Sequence, residues 1–391
     1  MARLANKVLS MTLTSILGLL FLFQGISAAS AAGDPAIDAG DDALKLAWTY
    51  ESGTPINIAP LVAGDLVLSV PEGGPLIAFD AATGEVKWKY APKEGVWDRS
   101  FSSHGEQIFV CLKGRKLAAL NRTDGTHQWT IDLGVNCQRR AHFSGDTMYV
   151  STTFVGPELP ADPLTGAKFF SINMADGKIN WELTTDEFLL QTATTYGNTV
   201  YVAGNYIDPS FTDDEGGPAH YYAVDAATGK IKWTHTSLEG TPKALYATKD
   251  ELVFVAYQDF VYGLDAATGA VNWKRDSENW VPSLVGRGDV VYFGSANTFA
   301  HAWSTKTGKP IWRYNIPGGK FDYLLIKPIL DGDRLYFMSQ RGFVYAMDRL
   351  TGKNIWRVPT GMNSRVGIGF GNGYIYMGDK YGRIYGFKIM K

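Results

Sequence analysis

One nine-residue segment recurs along this chain, and its recurrence limits the fold more than any other feature of the sequence. Asp80-Ala-Ala-Thr83-Gly84-Glu-Val-Lys-Trp88 is followed by related copies at 121–129, 173–181, 225–233, 265–273, 304–312 and 348–356, seven in all. In each copy a glycine stands four residues after the first position (Gly84, Gly125, Gly177, Gly229, Gly269, Gly308 and Gly352). A tryptophan follows four residues later (Trp88, Trp129, Trp181, Trp233, Trp273, Trp312 and Trp356). Glycine at a fixed turn position adopts positive φ without a Cβ clash, and the Asp or Asn ahead of it can bond the turn backbone. Segments upstream of the motif, such as Gly64-Asp-Leu-Val-Leu-Ser69 and Gly332-Asp-Arg-Leu-Tyr-Phe337, join a turn to alternating β-branched and aromatic residues and read as hairpin arms. Self-similarity of this kind means stacked supersecondary units.

An eighth tryptophan, Trp48, precedes the first full copy by 40 residues, close to the 39 to 52 that separate the others. Its unit lacks the upstream strands. They are found at the other end of the chain, where Gly373-Tyr-Ile-Tyr-Met377 and Arg383-Ile-Tyr-Gly-Phe387 read as two strands that stop before any tryptophan. Joining the two ends completes one unit and removes the open sheet edges that a linear array would leave. The expected fold is therefore all-β: an eight-bladed propeller of four-stranded antiparallel blades, closed by pairing of the N- and C-terminal strands. A small residue stands two positions before each motif: Ala78, Ala119, Ser171, Ala223, Gly263, Ala302 and Ala346, with Gly386 in the split unit. A large indole needs such a gap opposite it.

Small residue, x, Asp, x, x, Thr-Gly, x, x, x, Trp resembles the tryptophan-docking repeat of the quinoprotein (PQQ-like) propeller superfamily, over essentially residues 44 to 389. The resemblance implies indoles wedged between neighbouring blades, so the eight tryptophans are expected to be structural. Two branches of that superfamily bear on function. One comprises pyrroloquinoline-quinone dehydrogenases, which carry a disulfide between adjacent cysteines and a calcium held by carboxylates and an amide. The other comprises the non-catalytic BamB-type factors of outer-membrane-protein assembly, to which this chain is closer in size. A repeat fixes a fold and leaves chemistry to its sites.

The start of the chain reads as an export signal. Arg3 and Lys7 are basic, Val8 to Phe23 is apolar, and Ser27 to Ala32 are small, with Ala29-Ser30-Ala31 fitting a cleavage site. The expected organisation is a signal peptide at 1–31, a flexible linker at 32–43 and a single propeller at 44–391, placed in the periplasm or secreted. An uncleaved anchor is the alternative; otherwise no membrane span is expected. No cysteine follows the apolar run, so a lipid anchor there is not expected. Net charge is −2, or −4 without Arg3 and Lys7, and gives no basic field for nucleic acid.

Catalytic signals are sparse. The six histidines show no HxH or HxxxH spacing, and there is no CxxCH motif. Asp208, Asp213, Asp214 and Glu215 cluster without the spacing of a calcium loop. Cys111 and Cys137, 26 positions apart, are open to two readings, a disulfide or two buried free thiols. No metal and no cofactor are expected, with pyrroloquinoline quinone and calcium as the alternative.

The informative irregularity is a pair of 52-residue spacings, Trp129 to Trp181 and Trp181 to Trp233. The extra residues, Phe154 to Lys168 and Asn205 to His220, fall between second and third strands of their blades. In an up-and-down blade that position shares a face with the connection to the next blade. Those connections are expected to hold Trp97, Asp98 and Arg99; Gln138, Arg139, Arg140 and His142; Phe188 and Gln191; Trp280; Lys320, Asp322 and Tyr323; and Asn363 and Arg365. Aromatic and arginine enrichment is the composition of interface hot spots and polar-ligand pockets. The expected function is a monomeric, non-catalytic scaffold binding a protein partner or polar ligand there. A quinone-dependent oxidoreductase is the alternative.

Overall fold

A computed structural model describes residues 43–137, 139–153, 166–185, 187, 189–205, 218–237, 242–256, 259–317, 322–324, 326–361 and 367–390. They form eight four-stranded antiparallel sheets and contain no helix. Seven blades are continuous in sequence: blade 1 (61–90), blade 2 (96–132), blade 3 (142–184), blade 4 (189–237), blade 5 (244–276), blade 6 (284–315) and blade 7 (329–359). Blade 8 joins the two ends. The strand Leu44–Glu51 pairs antiparallel with Arg383–Ile389, with Trp48 opposite Gly386. The expected ring closure is thus present. Each strand order runs outward from an inner strand, three residues long in Leu61–Ala63 and Ile329–Asp331 but nine in Val96–His104, to an outer strand bearing the tryptophan.

The motif residues now have distinct physical roles. In blade 1 the Asp80 carboxylate accepts hydrogen bonds from the Ala82 and Thr83 amides at 3.0 and 2.9 Å and from the Thr83 hydroxyl at 2.9 Å. These bonds, the Thr83 amide foremost, hold the Asp80 carboxyl below its ordinary value, and Asp225, Asp265 and Asp348 make the same turn. Glycine satisfies two demands. Gly84 has φ +73°, and a Cβ there would lie 2.5 Å from the ring of Trp48, the indole of the preceding blade. The same clash, at 2.5 to 2.7 Å, meets the other six motif glycines.

Seven of the eight indoles are fastened at their nitrogen as well. Trp48 Nε1 donates to the Ala81 carbonyl of the next blade at 3.0 Å, and Trp88, Trp129, Trp181, Trp233, Trp273 and Trp312 each reach the equivalent carbonyl at 2.7 to 3.0 Å. The eighth differs. Trp356 faces blade 8, where no motif turn exists because the chain ends fall there, and its buried Nε1 has no partner among the described residues.

The small residues lie cross-strand from the indole of their own blade, as Ala78 does from Trp88 and Ala302 from Trp312. A Cβ on Gly263 would sit 2.2 Å from Trp273, and one on Gly386 would sit 2.4 Å from Trp48. Between the blades lie apolar clusters. That between blades 1 and 2, for example, buries Leu68, Val70, Phe101 and Val110 at 0 or 1% exposure.

Candidate functional site

Antiparallel order inside each blade places the fourth-to-first-strand connections on the same face as the turns between second and third strands. The motif turns occupy the opposite face. Phe154–Lys168 and Asn205–His220 bridge second and third strands, since Thr147–Ser151 is followed by Lys168–Asn173 and Thr199–Asn205 by Ala219–Asp225. Most of both segments lies outside the described residues, as do the acidic cluster at 208–215 and Gln138, Phe188, Lys320, Asn363 and Arg365.

Trp97, Asp98 and Arg99 are not in a connection. They belong to the inner strand Val96–His104, in a wide bulge where pairing jumps from Val96 opposite Leu112 to Phe101 opposite Val110. Residues 97 to 100 thus bow out against Cys111 alone, pinned by the Ser100 hydroxyl, which reaches the Trp97 carbonyl at 2.9 Å. Trp97 is half-buried against the cluster containing Cys111, Leu133 and Cys137; its Nε1 has no partner among the described residues, and the Lys113 ammonium lies 5.8 Å from the ring centre. Arg99 is exposed.

A disulfide joins Cys111 to Cys137, with Cα atoms 5.7 Å apart. It fastens the connection leading into blade 3 two residues before Arg139 and Arg140. Arg139 donates from Nη2 to the Gln191 side-chain oxygen at 3.3 Å, and Gln191 is itself the extra residue of a bulge between Leu190 and Thr192. Arg140 crosses to blade 1, where its Nη2 reaches the Ala59 carbonyl at 2.8 Å, and its guanidinium lies 5.3 Å from the Phe101 ring centre. His142 Nε2 shares a hydrogen bond of 3.0 Å with the Thr195 hydroxyl. Trp280 sits in the connection to blade 6, its carbonyl accepting the Ala296 amide at 2.9 Å; Tyr323 sits in the connection to blade 7, its carbonyl accepting the Gln340 amide at 2.8 Å. Asp322 beside it is fully buried, with one carboxylate oxygen taken by the Arg341 amide at 2.9 Å.

The connections surround a cavity of about 600 Å3 at the centre of the ring. Ala59, Arg140, Pro282 and Lys327 line it, each two residues before an inner strand, in blades 1, 3, 6 and 7. Below them the wall is apolar, with Ile329, Ile368 and Phe370 among its side chains. Water reaches Arg140 and Lys327 through the mouth, while the surrounding blades displace most of the solvent around them. That desolvation lowers Arg140 to about 10 and also lowers Lys327, whose second cause is the charge of Arg140. Burial, and then the charge of Arg99, lowers Arg139; burial, and then Arg139, lowers Lys243; burial, and then Lys327, lowers His142. Among the described residues no carboxylate contributes to any of these shifts. Lys243 and Lys327 carry no sequence signal of their own beyond standing one or two residues before an inner strand.

These residues do not fit a calcium-held quinone. Among the described residues the cavity lining contains no carboxylate and no three His, Cys, Asp or Glu side chains come together as a donor set, and the disulfide joins cysteines 26 positions apart. No helix among the described residues is long and apolar enough to cross a membrane.

Comparison with known proteins places this geometry in a family. Over 228 residues the chain is 24% identical to quinoprotein glucose dehydrogenase A of Acinetobacter calcoaceticus, a match covering 52% of this chain and 25% of that one. It spans at most about half the length of the curated relatives it matches. The crystal structure of BamB from Moraxella catarrhalis superposes with a TM-score of 0.61 at 18% identity, covering 88% of this chain and 98% of that one. The computationally designed Ika8 protein superposes with a TM-score of 0.68 at 14% identity, covering 87% and 98%. At such identities the superpositions show the fold alone. The family model described as outer membrane protein assembly factor BamB, however, matches residues 29–130, 113–257 and 257–390. This chain therefore belongs to the BamB family of PQQ-type β-propellers.

Proposed function

We propose that the protein is an exported, non-catalytic scaffold that binds a protein partner or a polar ligand in the cell envelope through its connection face. The observation that carries this reading is that Arg140 and Lys327 line one cavity on the face of the blade connections and Lys327 feels the charge of Arg140, while Arg139, next to Arg140 in sequence, feels that of Arg99. Charged forks with an aromatic neighbour favour recognition, and nothing among the described residues forms a nucleophile, base and orienting group. The description of the matched family as an assembly factor supports a protein partner, and the small-residue stretch at Ser27 to Ala32 supports export.

The test is capture from the native envelope fraction by the immobilised protein. Changing Arg139 and Arg140 together to alanine should weaken capture at least tenfold, in line with the loss of two charge-assisted contacts. Glu85→Ala and Lys230→Ala, on the motif-turn face, should leave it unchanged. Equal loss from both faces would contradict the reading. The match to quinoprotein glucose dehydrogenase A motivates a second reading, a quinone-dependent oxidoreductase. A red-shifted absorbance on adding pyrroloquinoline quinone and calcium would favour that reading over the scaffold.

A further inference from the structure

We propose that the cavity is a receptor for clustered carboxylates, with Arg140 and Lys327, which both line it, as the groups that bind them and Arg139 next to Arg140 in sequence. The inference rests on the binding role assigned above and names the chemistry of what is bound. Two charged heads line one cavity and are open to its water, and neither makes an ion pair among the described residues. Arg140 is placed by the Ala59 carbonyl at 2.8 Å and Arg139 by Gln191 at 3.3 Å, both neutral acceptors, so each guanidinium keeps its full charge and further N–H groups for a ligand. Some other arginines have carboxylate partners, among them Arg313 with Glu278 and Arg383 with Asp379. Arg122 pairs with Asp65 and Glu106, and Arg349 with Asp333, all on the motif-turn face.

Like charges brought together without a counterion oppose one another, and a ligand with several negative groups relieves that opposition at once. The planar forks of arginine match carboxylates in two parallel bonds, which favours carboxylate over a single spherical anion. Burial lowers Arg140, Lys327 and Arg139, and a like charge adds to the lowering of two of them, Arg140 for Lys327 and Arg99 for Arg139. A cavity of about 600 Å3 admits a free tricarboxylate or two to four acidic side chains of a partner segment. Its apolar wall, Ile329, Ile368 and Phe370, would receive the aliphatic part of either.

Titration calorimetry on the full mature chain, with citrate and with a tetra-aspartate peptide as probes, tests the site and separates the two sources. At low salt at least one probe should bind, acetate should bind far more weakly, and affinity should fall as salt is raised. Arg140→Gln and Lys327→Gln should each weaken binding by about tenfold or more, while Lys230→Gln on the opposite face should not. Peptide bound more tightly than citrate assigns the carboxylates to a partner segment; citrate alone assigns them to a free small anion. If Arg140→Gln fails to fold, Lys327→Gln carries the test, with melting temperature as the check. No binding of either probe, or binding unchanged in both variants, overturns the proposal. The two readings can fail separately. Loss of partner capture in the double arginine variant without probe binding removes the carboxylate site alone, whereas probe binding with unaffected capture removes the scaffold role alone.

Discussion

At the scale of single residues, the motif glycines show two constraints meeting at one position. Sequence reasoning accounts for the positive φ; the second reason, an indole from the preceding blade against the Cα, involves a residue some 40 positions away and leaves no local trace. The two can be separated. Gly105 also has positive φ, +55°, but nothing lies within 4 Å of where its Cβ would be. Gly105→Ala should cost about 1 kcal/mol, and Gly84→Ala about 2 to 4 kcal/mol, as read from denaturant unfolding. Equal costs would mean that the indole contact contributes nothing.

His301 provides a test in pH. It is buried at 3% exposure, stacked 4.8 Å from Phe293 and hydrogen-bonded at 3.1 Å to the Ser295 hydroxyl; burial, and then the charge of Arg313, lowers it to about 3. In the unfolded chain it would titrate near the ordinary histidine value of 6.5. Between those values the unfolded state holds a proton that the folded state lacks, so stability is full above the upper value and is lost as pH falls toward the lower. His142 and His235 act in the same direction. The expected slope from His301 is about 1.4 kcal/mol per pH unit at most, and His301→Phe should reduce the measured slope between pH 4 and 6 by about one proton. An unchanged slope would place the acid sensitivity elsewhere.

At the scale of elements, the split blade is where the repeat logic was legible and also where it was incomplete. Trp48 and the two terminal strands point to ring closure from sequence, because strands carry their periodicity wherever they lie. The consequence for Trp356 was not legible, since it depends on a turn that is missing from a neighbour. Trp312→Phe breaks a bond to the Arg349 carbonyl at 2.9 Å, whereas Trp356→Phe breaks none among the described residues. The first should therefore cost about 1 kcal/mol more than the second in denaturant unfolding. Equal costs would imply that Trp356 finds an acceptor. Trp97, Asp98 and Arg99 were misplaced for a related reason: a bulge has no sequence period, so a strand that bows outward reads as a connection.

The disulfide belongs to this scale too. It closes a loop of 26 positions and fastens the connection that carries Arg139 and Arg140. Paired Cys111→Ser and Cys137→Ser changes should lower stability by about 3 kcal/mol. Thiol titration of the denatured, unreduced protein should find no free thiol; two reactive thiols would contradict the bond.

At the scale of the whole molecule, the ring places on one axis residues that the sequence scatters. Arg140 and Lys327 stand on blades 3 and 7, and inner strands such as His142–Ser144 and Ile329–Asp331 are only three residues long, too short for an alternating pattern to announce the residue ahead of them. Sequence composition thus singled out Arg99, Arg139 and Arg140 as candidates but passed over Lys243 and Lys327. The propeller also gives the protein two unlike faces. One is made of repeated Asp-Thr-Gly turns; the other carries the blade connections, with Arg140 and Lys327 at an open cavity and local pairs such as Lys116 with Glu94 and Arg383 with Asp379.

The account stands on the second of these being the binding face, and site-specific photo-crosslinking in the native cell envelope reads that most directly. With the reactive group placed at Arg99 or Tyr323, a discrete crosslinked species of higher mass should form, and it should weaken when Arg139 and Arg140 are also changed to alanine. The group placed at Glu85 or Lys230 should give no such species. Crosslinks that form only from Glu85 and Lys230, or equally from both faces, would contradict the assignment.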